Sequence, residues 1–172
     1  MTLTTHAVVG AAVASFFPEQ PYLAFAAGFM SHLAIDALPH YDYGEFLHSF
    51  EKDPHHRLQT DMRFGKHFLH DLRLIGADAL LGFLLAFVVA RILGISYEYA
   101  LIGAGAGVYP DLIQFVYYKL RKTWLEVGLA PLQRFHVWIQ DGVERPEWGW
   151  RKGFGLQALL AVGILIAVLL VR

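Results

Sequence analysis

Five apolar segments separated by polar links set the pattern of this chain. Each segment is rich in Ala, Val, Leu, Ile, Phe and Gly, whereas the links carry most of the charged side chains. Runs of nearly 20 apolar residues are typical of helices that cross a membrane. The pattern therefore predicts an all-α, polytopic membrane helical bundle of about five membrane helices, forming a single integral-membrane domain over residues 1–172. The predicted helices cover about residues 4–17, 21–38, 72–93, 97–118 and 155–171.

The lengths of the links predict how these helices are connected. The first and second helices are joined by a few residues, as are the third and fourth, which predicts two antiparallel hairpins. The two long polar links, about residues 41–71 and 119–152, lie on the same side of the membrane if all five segments span it. The first segment stops at Pro18 and is short for a full span. Whether it crosses or only enters the membrane is left open by the sequence.

The distribution of cationic residues predicts the orientation of the bundle. Of the 14 Lys and Arg residues, all except Arg91 and Arg172 fall in or next to the two long links. By the positive-inside rule, the N-terminus and both long links face the cytoplasm. We therefore expect an integral protein of a bacterial or archaeal cytoplasmic membrane, with membrane lipids as partners. The sequence leaves the oligomeric state open.

The second long link predicts a helix lying in the membrane interface. Leu132, Phe135, His136 and Ile139 recur at helical spacing. Tryptophan prefers the headgroup region of a bilayer, where amphipathic helices also bind. All four tryptophans of the chain fall in this link: Trp124, Trp138, Trp148 and Trp150. A similar interfacial helix is expected in the first link, at about residues 61–75.

Composition restricts the chemistry. The chain is 56% hydrophobic and 17% charged, with a formal net charge of −1, so nothing indicates a nucleic-acid partner. The chain contains no cysteine. A metal site would therefore use histidine nitrogens and carboxylate oxygens, a donor set that favours zinc, with manganese or iron as alternatives.

A run of ionisable residues at the end of the second predicted helix carries the candidate chemistry. His32 and Asp36 are four residues apart and so share one face of a helix. Ionisable groups in membrane helices are costly and usually functional. Pro39 is expected to end the helix and to turn His40 toward the same site. Histidines and aspartates of other helices lie at the same predicted depth, which indicates a divalent metal site. The candidate ligands are His6, His32, Asp36, His40, Asp78 and Asp111.

Three sequence elements resemble a known family. They are THAVVGAAVA with His6, GFMSHLAIDALPHYD with His32, Asp36 and His40, and GAGAGVYPDL with Asp111. This pattern resembles the YdjM-like predicted membrane-bound metal-dependent hydrolases. The H-x-x-x-D element is also similar to one in zinc-dependent phospholipases C and related nucleases.

The resemblance implies a membrane-embedded hydrolase that acts on a phosphoester or lipid-like substrate at the cytoplasmic membrane surface. A bound metal ion can polarise a phosphoryl or acyl oxygen and activate water. His136 is the nearest candidate for the second His-rich segment of the related proteins, and Asp42 is a candidate acid–base group. Asp42 and His136 are therefore the predicted catalytic residues.

Other interpretations stay open at this point. A metal-ion or small-solute transporter would have polar groups throughout the membrane, but the outer halves of the predicted helices contain almost none beyond Arg91 and Glu98. A structural membrane protein would use such pairs as His32 and Asp36 only to join helices. The spacing Gly103-x-x-x-Gly107 predicts helix packing rather than phosphate binding, because no lysine follows the glycines.

Overall fold

The protein is a helical bundle with six helices in its described part. A computed structural model describes residues 1–41, 43, 46–51, 61–120, 123–141 and 149–172. Apart from a two-residue antiparallel pairing of β1 (Phe50–Glu51) with β2 (Asp61–Met62), the regular structure of these residues is helical. This confirms the all-α prediction. The helices are α1 (Leu3–Ala14), α2 (Pro21–Asp36), α3 (Phe68–Leu93), α4 (Tyr97–Leu120), α5 (Glu126–Asp141) and α6 (Trp150–Val171).

Each of the five predicted segments coincides with a helix. Helix α2 begins at Pro21, whose fixed φ and missing N–H suit the first helical position. Helix α3 ends at Leu93, and Gly94 after it adopts the left-handed conformation (φ 62°) that favours glycine after a helix. Pro110 lies inside α4, which continues through it to Leu120.

The two long links differ from each other. In the second link, α5 confirms that residues 126–141 are helical. In the first link, the prediction of a separate helix over residues 61–75 is wrong for its described part, because β2 pairs with β1 and α3 already begins at Phe68. The carboxylate of Asp71 accepts hydrogen bonds from the backbone N–H groups of His48 and Ser49, at 2.9 and 2.7 Å. These bonds hold residues 48 and 49, just before β1, against the first turn of α3.

Helix α1 lies at the centre of the bundle and packs against α2, α3, α4 and α6. It crosses α4 at very short range. A Cβ added at Gly103 would lie 2.4 Å from the carbonyl oxygen of Gly10, and one added at Gly107 would lie 2.4 Å from that of His6. The prediction that Gly103 and Gly107 serve helix packing is therefore confirmed.

Contacts at the two ends of the bundle define the helix directions. Thr4, in the first turn of α1, donates a hydrogen bond from its backbone N–H to Asp78 of α3 at 3.1 Å. At the opposite end, Arg172 donates to the carbonyl oxygen of Leu93 at 2.8 Å, so α3 and α6 run in parallel. Both predicted antiparallel hairpins, α1–α2 and α3–α4, are thus confirmed. The starts of α1, α3 and α6 lie at the same end of the bundle as the last turns of α2 and α4.

Among the described helices, α3 and α6 are long and apolar enough to cross a membrane. Large apolar side chains such as Leu80 of α3 and Leu159 of α6 are exposed on their outer faces. Helices α1 and α2 contain 12 and 16 residues. At a rise of 1.5 Å per residue they extend about 18 and 24 Å, less than the roughly 30 Å of a bilayer core. By length and composition, two of the described helices are therefore candidate spans, and the predicted five-span bundle is not confirmed.

Candidate metal centre

Four side chains from three helices meet at the end of the bundle that holds the N-terminus of α1. His32 and Asp36 come from α2, Asp111 from α4 and His136 from α5. One ligand atom of each lies within 4.8 Å of those of the other three. His32, Asp36 and His136 are buried, and the side chain of Asp111 is 19% exposed. Asp36 is the last residue of α2 and Asp111 lies in the second half of α4, which ends at Leu120, so the two aspartates meet toward the ends of both helices.

His6 of α1 joins this group from the centre of the bundle. Its Nε2 lies 3.2 Å from Asp36 Oδ1 and 3.7 Å from Asp111 Oδ2. Its ring stacks on that of His32 with 3.8 Å between ring centroids, and it is fully buried. Within the part of the chain that the structure describes, neither ring nitrogen of His6 has a hydrogen-bond partner. An imidazole buried in this way loses its contacts with water without replacing them.

The spacing of the donor atoms fits a small divalent ion. Ligand atoms at roughly 2.0–2.2 Å from zinc lie about 3.3–3.6 Å apart at the corners of a tetrahedron. Asp36 Oδ2 lies 3.3 Å from His32 Nε2 and 3.1 Å from His136 Nε2. His32 Nε2 lies 4.0 Å from Asp111 Oδ1. Three histidines and two aspartates thus place neighbouring nitrogen and oxygen atoms 3.1–4.0 Å apart, near the separations found around a bound ion, and the ion would supply the unpaired His6 nitrogen with a partner.

Polar groups behind the cluster orient its members. His32 Nδ1 donates to the carbonyl oxygen of Gly107 at 2.7 Å, because a carbonyl oxygen can only accept. A neutral ring protonated at Nδ1 keeps its lone pair on Nε2, the atom that faces Asp36. Gln140, one turn after His136 on α5, donates from Nε2 to Asp36 Oδ2 at 2.7 Å. Outer hydrogen bonds of this kind accompany histidine and carboxylate ligands in metal sites.

Two further groups lie at the edge of the cluster. His40 Nε2 is 3.8 Å from Asp36 Oδ1, and its Nδ1 donates to the carbonyl oxygen of Leu38 at 2.7 Å. The turn expected at Pro39 therefore does bring His40 toward the site. The amino nitrogen of Met1 lies 3.0 Å from Asp36 Oδ1. Asp36 Oδ1 thus has the positively charged amino group of Met1 beside it as well as the surrounding imidazoles.

Asp78 lies at the predicted end of the bundle but outside the group of four. Its carboxylate accepts from the Thr4 hydroxyl at 2.7 Å and from the Thr4 backbone N–H, and also from the hydroxyl of Tyr43. Tyr43 in turn accepts from the backbone N–H of Leu3 at 2.8 Å. Burial, together with the negative charge of Asp78, raises the pKa of the Tyr43 hydroxyl, so this group stays protonated and donates. Asp78 therefore holds the first turn of α1, whose N–H groups have no backbone acceptor within the helix.

The candidate residues of the sequence thus fall into three sets. His6, His32, Asp36 and Asp111 meet in the structure, and His40 lies beside them. Asp78 has other partners, and Asp42 lies outside the described residues. His136, predicted as a catalytic residue, lies among the possible metal ligands. Gln140 was missed, although its spacing of four residues from His136 places both on one face of α5.

Comparison with models of known protein families, with curated proteins and with solved structures gives no match for this chain.

Proposed function

We propose that this protein is a membrane-embedded, metal-dependent hydrolase that acts on a phosphoester or lipid-like substrate at the cytoplasmic membrane surface. The observation that supports this most is the convergence of three buried histidines and two aspartates from four helices. Such a group is expensive to bury unless an ion compensates the carboxylates. The site lies at one end of the bundle, where a substrate headgroup would meet it.

Zinc is the metal that we propose, with manganese and iron as alternatives. The donors are imidazole nitrogens and carboxylate oxygens, and their separations suit bond lengths near 2 Å. Calcium is less suitable, because it takes six to eight oxygen ligands. The resemblance to the YdjM-like membrane hydrolases agrees with this choice, and membership of that family is part of the proposal.

The chain's own residues have distinct roles in this proposal. When bound, the ion would polarise a phosphoryl oxygen and acidify water. In hydrolysis, the water oxygen bonds to phosphorus, the bond from phosphorus to the alcohol oxygen breaks, and one proton passes from water to that alcohol oxygen. His40 is well placed to carry this proton, because its Nδ1 donates to Leu38 and leaves the Nε2 lone pair facing the cluster. Asp36 orients the surrounding imidazoles.

The proposal places all five apolar helices in the membrane, with the N-terminus and both long links in the cytoplasm. Helices α3 and α6 provide full spans, and α4 contains 24 residues. Helices α1 and α2 are joined by a short turn and penetrate as a hairpin. Helix α5 lies at the cytoplasmic interface, since Phe135 and Trp138 are exposed on it while His136 is buried toward the site.

Elemental analysis of detergent-purified protein tests this proposal. We expect close to one equivalent or more of zinc, manganese or iron in the wild type and a large loss of metal in Asp36→Asn. Glu98→Gln is the matched control, because Glu98 is an exposed carboxylate at the start of α4, at the opposite end from Asp111. Hydrolysis of a chromogenic phosphodiester and of phospholipids should fall with the metal content.

Three results would contradict the proposal. Wild-type protein without metal, even after incubation with each of these ions, would leave the cluster as a structural hydrogen-bonding group. Equal metal content and equal turnover in the wild type and Asp36→Asn would remove Asp36 from the site. Equal losses in Asp36→Asn and Glu98→Gln would indicate a general effect of charge on the preparation rather than a site.

A further inference from the structure

A long apolar groove lies between α3 and α6, with α1 as its floor. Its volume is about 640 Å³. Along α3 its wall runs from Leu74 to Ile92, and along α6 it runs from Trp150 to Leu165. The lining residues of each helix recur at helical spacing, for example Ala158, Ala161, Val162 and Leu165 on α6. Two membrane-length helices thus present continuous apolar stripes to each other across a gap.

The groove has the dimensions of a site for a hydrocarbon chain. From Leu74 to Ile92, α3 rises about 27 Å, which exceeds the roughly 15 Å depth of one leaflet of a bilayer. Most of the wall consists of Leu, Val, Ile and Ala side chains. A polar metabolite in this place would lose its hydrogen bonds with water without gaining others, whereas an alkyl chain would lose nothing.

Polar residues occur at one end of the groove only, the end beside the candidate metal centre. Thr2, Thr4, Thr5, Tyr43 and Asp78 line it there. Thr5 precedes His6 in α1, so the groove and the metal centre lie on adjoining faces of the same helical turn. A chain lying in the groove would therefore bring its polar end to the first turn of α1, and the metal centre lies on the adjoining face of that turn.

A cation suited to a phosphate group lies just outside the polar end of the groove. Trp150 lines the groove, and the guanidinium carbon of Arg151 lies 5.1 Å from the centre of the Trp150 ring. Arg151 is exposed, so its guanidinium is open to a partner from the solvent or headgroup side. Arginine is the side chain best shaped to bind phosphate oxygens in pairs.

We propose that this groove binds the hydrocarbon chain of a lipid phosphoester substrate, with the phosphate between Arg151 and the candidate metal centre. This inference rests on the proposed function, and it names the substrate class as a membrane lipid rather than a soluble phosphoester. Lipid chains are the medium around α3 and α6 in a bilayer, and the groove offers one chain apolar walls on both helices along its length.

Variants that fill the groove separate this inference from general effects on the protein. Ala158 is exposed and lines the groove, so Ala158→Trp obstructs it without entering the packed core. Ala167 is exposed on the same helix and lies outside the groove lining, so Ala167→Trp is the matched control. Val162→Trp is a second obstructing variant at a position that is also exposed.

The probe is phosphatidic acid with a diazirine in the middle of one acyl chain, incorporated at low mole fraction in phosphatidylcholine vesicles that contain the protein. After illumination, labelled residues are mapped by mass spectrometry. We expect labelling concentrated on the facing stripes of α3 and α6, and competition by unlabelled phosphatidic acid. Ala158→Trp and Val162→Trp should reduce this labelling about tenfold, the effect of roughly 1.4 kcal/mol of binding free energy. Ala167→Trp should not change it.

Labelling spread evenly over all exposed apolar faces, and unaffected by Ala158→Trp, would show only surrounding bulk lipid and would overturn the inference. Absence of groove labelling together with a change of oligomeric state in Ala158→Trp would show that a second copy covers the groove, and would also overturn it. Metal content measured on the same samples distinguishes the two proposals. Specific labelling without metal contradicts the hydrolase proposal alone, whereas metal without specific labelling contradicts the lipid groove alone.

Discussion

His32 Nδ1 lies 2.7 Å from the carbonyl oxygen of Gly107, and this contact joins α2 to α4 at the candidate metal centre. The carbonyl belongs to a glycine at which α4 approaches the backbone of α1 closely. The same glycine lies against the backbone of His6. One backbone position therefore fixes the separation of two histidines that come from different helices.

Gly107→Ala should disrupt this arrangement. The added Cβ would lie 2.4 Å from the carbonyl oxygen of His6, which is backbone and cannot turn aside. We expect a loss of about 1–3 kcal/mol in the free energy of unfolding, together with weaker metal binding. Thermal denaturation in detergent and metal content measure the two effects.

Gly105→Ala is the control for this prediction, because it lies two residues away on the same helix and has open space around its Cα. It should be neutral or slightly stabilising, since alanine favours a helix over glycine by about 0.5–1 kcal/mol. Equal stability losses in the two variants would mean that helix flexibility matters here, rather than the α1–α4 approach.

Asp78→Asn should separate stability from metal binding. Asp78 accepts hydrogen bonds from Thr4 and Tyr43, and an amide can replace only one of its two oxygens. We expect a loss of about 1–3 kcal/mol in the free energy of unfolding with the metal content retained. Asp111→Asn should show the opposite pattern, a large loss of metal with a smaller effect on folding. Loss of metal in Asp78→Asn at full stability would instead make Asp78 a ligand.

The fold and part of the site follow from the sequence for identifiable reasons. The pairing of His32 with Asp36 depends only on helix geometry, and the depths of His6 and Asp111 depend on counting residues from the helix ends. Asp78 shows the limit of this method, because depth along a helix does not say which neighbour a side chain faces. The side chain of Asp78 faces the first turn of α1. The positions of His136 and Gln140 required knowledge of where α5 packs, which helical periodicity alone does not provide.

Gln140→Ala should weaken metal binding less than loss of a ligand does. Gln140 donates to Asp36 Oδ2 at 2.7 Å and so restrains the carboxylate without offering a lone pair to the ion. Removal of such outer partners typically lowers metal affinity about 10–100-fold. Titration with a competing chelator measures this change. Arg134→Ala, at an exposed position on the same helix, should leave the affinity unchanged.

His40→Gln distinguishes a proton carrier from a metal ligand. His40 Nε2 is 3.8 Å from Asp36 Oδ1, at the edge of the cluster rather than inside it. If His40 carries the proton in hydrolysis, the variant should retain its metal and lose about 10²–10⁴-fold in turnover, the usual contribution of a general acid–base group. His67→Gln is the control, because His67 is exposed and lies just before α3. Metal content and phosphodiester turnover are measured on the same samples. Loss of metal in His40→Gln would add His40 to the ligands, whereas full turnover with full metal would exclude it from both roles.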